Sequence, residues 1–323
     1  MQLKVLVPQP IAQEGIDFLE QAGVQVIIPP GHDEKTLLNY VQDADAILMR
    51  TGELSRKVIE KAEKLKIISK HGVGVDNIDI EAATEQGVLV TNAPYANSNA
   101  VAEHVLTLIL AGARQLLQVD KALRSGDFEI RNRLFGMELK GKTLGIIGFG
   151  NIGQLVAEKC HYGLGMEILV YDPYFKERNA ALYVEVSSSL EEVLTVADVI
   201  TLHVPYLPAT HHLIDEKSFG LMKKSALFIN AARGGIVDEA ALEEAVRNEQ
   251  IRGACIDCFQ KEPPQENFSL WELENVIVTP HIAAHTEEAM IEMALAPAKD
   301  IIAVLKGDTA LYPVNEKELR AKR

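Results

Sequence analysis

Residues 143–153 read TLGIIGFGNIG, and the next apolar run, EILVYD, closes on Asp172. A short run rich in leucine and isoleucine predicts a buried strand. Gly148, Gly150 and Gly153 follow it in the spacing G-x-G-x-x-G, and a helical stretch opens at Ile152. Glycines in that spacing mean little alone, but between a strand and a helix each has a task. Gly148 allows a tight turn, Gly150 lets the backbone approach a pyrophosphate, and Gly153 lets helix and strand pack closely. The helix start offers N–H groups to phosphates. Asp172 stands 19 residues after Gly153. A carboxylate there accepts hydrogen bonds from ribose hydroxyls and repels a 2′-phosphate. The stretch therefore predicts a Rossmann domain that takes NAD and not NADP.

The pattern repeats on both sides. Upstream, KVLVP, QVIIP, AILMR, KIISK and VLVTN alternate with helical spacing; downstream come VITLHVP, ALFINAA, GACIDC and NVIVTPH. Near-continuous apolar strands separated by helices predict parallel sheets covered on both faces. The fold class is α/β, with two doubly wound domains: a flavodoxin-like substrate domain and the Rossmann domain. Between them, AVAEHVLTLILAGARQLLQ (100–118), capped by Asn97-Ser98, predicts one helix of about five turns, apolar nearly all round and so buried. A last helical segment, Glu287–Leu305, and a short tail hold too few strands for a third domain. They are expected to return to the first, giving a discontinuous substrate domain of 1–97 and 290–323 around a nucleotide domain of 98–289.

Composition narrows the partners. The chain has 323 residues, a net charge of −14, and no apolar stretch near the ~20 residues that cross a bilayer. An acidic chain disfavours nucleic acid and anionic membranes, so an anionic substrate must be met by cations gathered locally. Three cysteines and no signal-like start predict a cytoplasmic protein without a disulfide framework. Cys255 and Cys258 have no second pair to complete a zinc site, and the pairs His281/His285 and His211-His212 lack the carboxylate of a metalloprotease motif. No metal is expected.

Hydride transfer needs an acid/base and a substrate anchor. Arg233 follows the strand ALFINAA, Glu262 follows GACIDC, and His281 ends NVIVTP. All three fall at the C-terminal ends of parallel strands, where open α/β sheets bind ligands. Histidine can move a proton near neutral pH, a carboxylate beside it favours the imidazolium, and the arginine fork suits a carboxylate. Each also has a structural reading: Arg233 could pair with Asp238 or Glu239, Glu262 could be a solvated acid, and a lone histidine is often structural. Arg50 ends one strand of the first domain and Lys70 another, before the turn GVGVDNID. Both are candidates for a second anionic group on the substrate, or else solvated cations at loop starts.

Together these residues make the chain similar to the D-isomer-specific 2-hydroxyacid dehydrogenase family. The resemblance runs nearly the whole length, on HGVGVDNID (71–79), NSNAVAEH (97–104), LKGKTLGIIGFGNIG (139–153), VYDP (170–173), HVP (203–205), NAARGGIVDE (230–239), DCFQKEPP (257–264) and WELENVIVTPHIAAHT (271–286). It implies that Arg233 holds the substrate carboxylate, that His281 is the general acid/base, and that Glu262 hydrogen-bonds it. It also implies that Asp257 meets the nicotinamide amide, that Asn151, Ile152, Val204, Ala231 and Ala232 contact NAD, and that Val73 and Gly74 face the substrate. It further implies a homodimer through the segment after the long helix. Ala283 stands where the family commonly has glycine, and Cys258 where it has valine. RTGELS, Lys70 and ARGGIVDE are most similar to the D-3-phosphoglycerate dehydrogenases, with hydroxypyruvate and glyoxylate reductases as alternatives. That branch often carries C-terminal regulatory domains; as the chain stops at Arg323, serine feedback through one is not expected. An NADH-sensing interaction protein of the same fold is the non-enzymatic alternative.

Overall fold

The structure, a computed structural model, describes residues 2–176 and 180–321. The chain divides into two compact units, Met1–Asn97 with His285–Arg323, and Ser98–Ala284.

The first unit is a five-stranded parallel sheet of β1 (Lys4–Leu6), β2 (Gln25–Ile27), β3 (Ala46–Met49), β4 (Ile67–Lys70) and β5 (Leu89–Thr91), in the order β2-β1-β3-β4-β5. Successive strand residues point to opposite faces, and the cores follow that rule. Leu6, Ile47, Met49 and Ile68 join one apolar cluster, whereas Val5, Ala46, Leu48 and Ile67 join the other. The second cluster is closed by Ala298, Ile301 and Ile302 of helix Glu287–Lys306. That helix crosses helix Gln13–Gln21 closely: a Cβ on Gly15 would lie 2.8 Å from Ala294 Cβ. The chain rejoins the first unit at His285 instead of the expected 290, because Thr286 already caps this helix through Ala289 N. Beyond it, Val314 N donates to Val90 O at 2.7 Å and Asn315 Oδ1 accepts from Val90 N at 2.8 Å, so the final segment closes the β5 edge.

The second unit is a seven-stranded parallel sheet of β6 (Thr143–Ile147), β7 (Glu167–Tyr171), β8 (Val184–Val186), β9 (Val199–Leu202), β10 (Leu227–Asn230), β11 (Gly253–Ile256) and β12 (Val276–Val278). Its order is β12-β11-β10-β9-β6-β7-β8. The chain thus turns outward from β6 in both directions, the doubly wound arrangement expected. β8 was missed: it is a three-residue edge strand with an exposed Glu185, too short to give a periodic signal. The predicted five-turn helix is also corrected. It runs only Ser98–Ala113, breaks where Gln115 takes φ +50°, and resumes as Leu116–Arg124. The first piece is buried where Gly112 lies against Leu227 and Cys255; the second has no buried residue. Apolar spacing continues across the break, which is why the sequence reads as one helix. No single helix among the described residues is long and apolar enough to cross a membrane.

Candidate active site

The β6 turn has the shape its glycines require. Gly148 takes φ +91°, and a Cβ there would sit 2.6 Å from the His203 carbonyl carbon. A Cβ on Gly153 would meet Gly148 O at 2.5 Å, so the helix start presses against the turn. Gly150 differs: nothing lies within 4 Å of where its Cβ would be. It is also the N-cap of helix Asn151–Leu164, and no side chain caps that end. An open, side-chain-free helix start fits a pyrophosphate. Asp172 follows β7 and is held by Phe149 N and Tyr174 N, each at 2.8 Å, one on each carboxylate oxygen. Each oxygen keeps further acceptor capacity for ribose hydroxyls. Ile152, Val204 and Ala232 are partly buried near the ends of these strands, Ala231 is buried, and Asn151 is exposed.

Three neighbouring strand ends carry the charged residues. After β10, buried Asn230 ties the turn: its Nδ2 donates to Arg233 O at 3.0 Å, and its Oδ1 accepts from Ala232 N at 3.1 Å. Arg233 Nη1 donates to Ala232 O at 2.8 Å. Gly234 allows the next step, since a Cβ there would fall 1.9 Å from the Phe259 carbonyl carbon. The arginine turn therefore lies directly against the loop carrying Glu262. Of the two acids offered as partners for Arg233, Asp238 caps helix Glu239–Arg247, and Glu239 accepts from Gln260 N at 2.7 Å.

His281 and Glu262, 19 residues apart in sequence, form a pair, with Nδ1 at 2.8 and 3.0 Å from the two carboxylate oxygens. Burial raises the cost of charging Glu262. The hydrogen bond from His281, the Phe259 N–H, and the charges of His281 and Arg233 outweigh it, so its pKa falls below the ordinary carboxylate value. Glu262 is thus ionised near neutral pH and directs the Nδ1 proton of His281 toward itself, leaving Nε2 for another partner. Both residues line a cavity of about 370 Å³ walled by Phe259, Pro263, Trp271 and Val278.

Asp257 is the hub of this region. Its side chain is fully buried. Oδ1 accepts from Thr279 Oγ1 at 2.5 Å and Ile282 N at 2.9 Å, and Oδ2 accepts from Ala283 N at 2.9 Å. Its carbonyl accepts from His281 N at 2.8 Å, and its own N–H donates to Asn230 O at 2.9 Å. His281 sits at φ +53°, uncommon for a residue with a side chain, so the turn must be held there. Asn230, Thr279 and His104, whose Nε2 is 3.2 Å from Thr279 Oγ1, belong to this scaffold and were missed. Only Asn230 left a signal, as a polar residue ending the otherwise apolar LFIN.

Cys258 also comes close, its sulfur within 4.8 Å of ligand atoms of Glu262 and His281. Burial, then the charge of Asp257, pushes its thiol pKa well up, so it stays a thiol. It donates to Ala232 O at 3.4 Å.

The first unit carries its own polar edge. Ala93 N donates to Gly72 O and Asn92 Nδ2 to Val73 O, each at 2.8 Å. These bonds fix the turn bearing Val73 and Gly74. Lys70, read as an anion-binding cation, is buried; its Nζ donates to Arg50 O and to Asn77 Oδ1.

A doubly wound unit with this turn and this acid has the arrangement of a dinucleotide-binding domain. Comparison gives the same class. Residues 106–283 match the family model for "D-isomer specific 2-hydroxyacid dehydrogenase, NAD binding domain". The chain belongs to the D-isomer specific 2-hydroxyacid dehydrogenase family, and its second unit holds the NAD-binding domain. It is 46% identical to the D-3-phosphoglycerate dehydrogenase of Methanocaldococcus jannaschii, over 97% of this chain and 59% of that one. The chain thus spans about three fifths of that relative's length. The TT0316 protein of Thermus thermophilus superposes with a TM-score of 0.90 at 33% identity, covering 97% of this chain and 100% of that one. A glyoxylate/hydroxypyruvate reductase of Sinorhizobium meliloti, solved with NADP and malonate, gives 0.88 at 26%, covering 98% of each.

Proposed function

We propose that this chain is an NAD-dependent D-2-hydroxyacid dehydrogenase, reducing small 2-oxo acids, of the D-3-phosphoglycerate dehydrogenase type. The observation that carries this reading is the His281–Glu262 pair beside the Arg233 turn. NADH, when bound, supplies the hydride that reaches the carbonyl carbon. His281 gives a proton from Nε2 to the carbonyl oxygen, yielding the 2-hydroxy acid. Glu262 fixes the tautomer and stabilises the imidazolium before transfer. Arg233 binds the carboxylate through its fork. Lys70 positions Arg50 through the bond to its carbonyl. The open helix start at Gly150 takes the pyrophosphate, and the carboxylate of Asp172 favours NADH over NADPH. Unpaired cysteines fit the reducing cytoplasm.

An NADH-oxidation panel of 3-phosphohydroxypyruvate, hydroxypyruvate, glyoxylate and pyruvate, repeated with NADPH, tests the reading. Oxidation of NADH by none of them would favour the NADH-sensing alternative; faster turnover with NADPH would remove the role given to Asp172.

Asp257 is a positioning residue in this scheme, because its carboxylate accepts from Thr279 Oγ1, Ile282 N and Ala283 N on either side of His281. Asp257→Asn places an NH₂ where an N–H donor now bonds. It is expected to lower kcat by ~10–10² while the Kd for NADH stays close to wild type. A weakened Kd with unchanged kcat would restore the nicotinamide contact implied by the family.

The chain pairs with a second copy through the segment after the helix break. Leu116, Leu117, Leu123, Phe128 and Phe135 are all exposed there, large apolar side chains close together in sequence, as at an interaction face. Light scattering should give a dimer, and a Leu117→Glu/Leu123→Glu double variant a monomer. A monomeric wild type contradicts this.

A further inference from the structure

We propose that Cys258, Glu262 and His281 form an inhibitory site for a thiophilic divalent cation of the zinc type. As inhibition, this rests on the dehydrogenase reading; as a metal site, it stands on the geometry alone.

The three side chains meet from two paired strands. Cys258 and Glu262 follow β11, and His281 follows its neighbour β12. Cys258 Sγ, a carboxylate oxygen of Glu262 and a ring nitrogen of His281 all lie within 4.8 Å of one another. Zinc holds sulfur, nitrogen and oxygen donors at about 2.0–2.3 Å, so two donors on one ion stand about 3.5 Å apart. The His281 and Glu262 atoms are already nearer, with Nδ1 2.8 Å from Oε2. A shift of the sulfur of roughly an ångström closes the set. Glu262 and His281 are exposed, which gives an ion its way in, whereas Cys258 is buried beneath them. Cys255 takes no part: its sulfur donates to Leu108 O at 3.5 Å. The expectation of no metal looked for a second cysteine pair; this set instead crosses from one strand end to the next.

The charges suit a cation. Burial first, then the charge of Asp257, keeps Cys258 a thiol; Glu262 acts in the same direction and Arg233 in the opposite one. Two anions therefore face one cation around the sulfur. A metal must displace the thiol proton, which selects an ion that gains strongly from a sulfur bond. Zinc does; magnesium, which takes oxygen ligands, does not. Coordination makes bonds from the ion to Sγ, Nδ1 and one carboxylate oxygen. The thiol proton leaves to solvent and, from the imidazolium, so does the Nδ1 proton. The fourth position of a tetrahedral ion stays open to water. Turnover then stops for a definite reason. The ring keeps its Nε2 proton on a neutral imidazole, and giving it up would leave an imidazolate, so His281 no longer serves as an acid. The ion also takes the place of the proton through which Glu262 orients the ring.

The test has a spectroscopic arm and a kinetic arm. Cobalt(II), standing in for zinc, should give wild type a thiolate-to-cobalt charge-transfer absorption. Cys258→Val, which removes the donor at nearly constant volume, should lose that absorption, and Cys258→Ser, as a second variant, should lose it too. In turnover, zinc should inhibit wild type, and a chelator should return the activity. Cys258→Val should need about a hundredfold more zinc for the same inhibition. Equal zinc sensitivity of the two proteins, or a cobalt complex without thiolate absorption, would overturn the site. Equal inhibition by magnesium would overturn its ligand class. A wild type that reduces no 2-oxo acid removes the dehydrogenase reading, and the cobalt spectrum still decides the site.

Discussion

His281→Ala is expected to lower kcat for 2-oxo acid reduction by ~10²–10⁴ while NADH binding, read by fluorescence, is retained. The size follows from the geometry. Glu262 holds Nδ1 at 2.8 Å, so the ring is oriented and Nε2 is the atom left to protonate the carbonyl oxygen. Without the imidazole, water must supply that proton from an unfixed position. Because the Glu262 pKa is lowered on folding, the pair is intact above the ordinary carboxylate value. It is lost only as pH falls through the lower folded value. Reduction should therefore persist in mild acid and fail below it. Unchanged turnover in His281→Ala would end the assignment.

Arg233→Ala should reduce kcat/KM by ~10²–10³, because two charge-assisted hydrogen bonds to the substrate carboxylate disappear together. Arg233→Lys should recover only part of the loss, since a point charge cannot reproduce the fork. Asn230 and Gly234 set the arginine backbone and remain in both variants, so the Kd for NADH should hold. A loss confined to NADH affinity, with the 2-oxo acid KM unaffected, would mean that Arg233 serves the cofactor instead.

Some elements were legible because their signal is local. GFGNIG followed by Asp172 fixes a turn within thirty residues, and Gly153 presses on Gly148 inside that turn, although the contact of Gly148 with His203 comes from further along the chain. The all-buried strands AILM, IISK, VITL, LFIN and GACI announce themselves by largely apolar composition. β8 did not, being short and half exposed. The break at Gln115 did not either, because helical spacing survives a single left-handed residue.

The chemical site was legible as residue types and not as an arrangement. Arg233, Glu262 and His281 stood out at strand ends, yet spacing left each with a structural alternative. The fold removes part of that ambiguity by pairing Glu262 with His281. Asp257 is a further case: sequence likeness offers it to the cofactor, and only the fold adds its bonds from Thr279, Ile282 and Ala283, more than twenty residues away.

The sequence by itself determined that two parallel α/β units would form and that one would take a dinucleotide, since periodicity and glycine spacing act over neighbouring residues. Tertiary structure alone decided which polar groups meet. Lys70 turned inward to hold Arg50, while His285 came from 235 positions away to lie beside it. Hydrogen bonds and charge pairs depend on distances of a few ångströms between segments far apart in the chain, and no one-dimensional pattern carries that information.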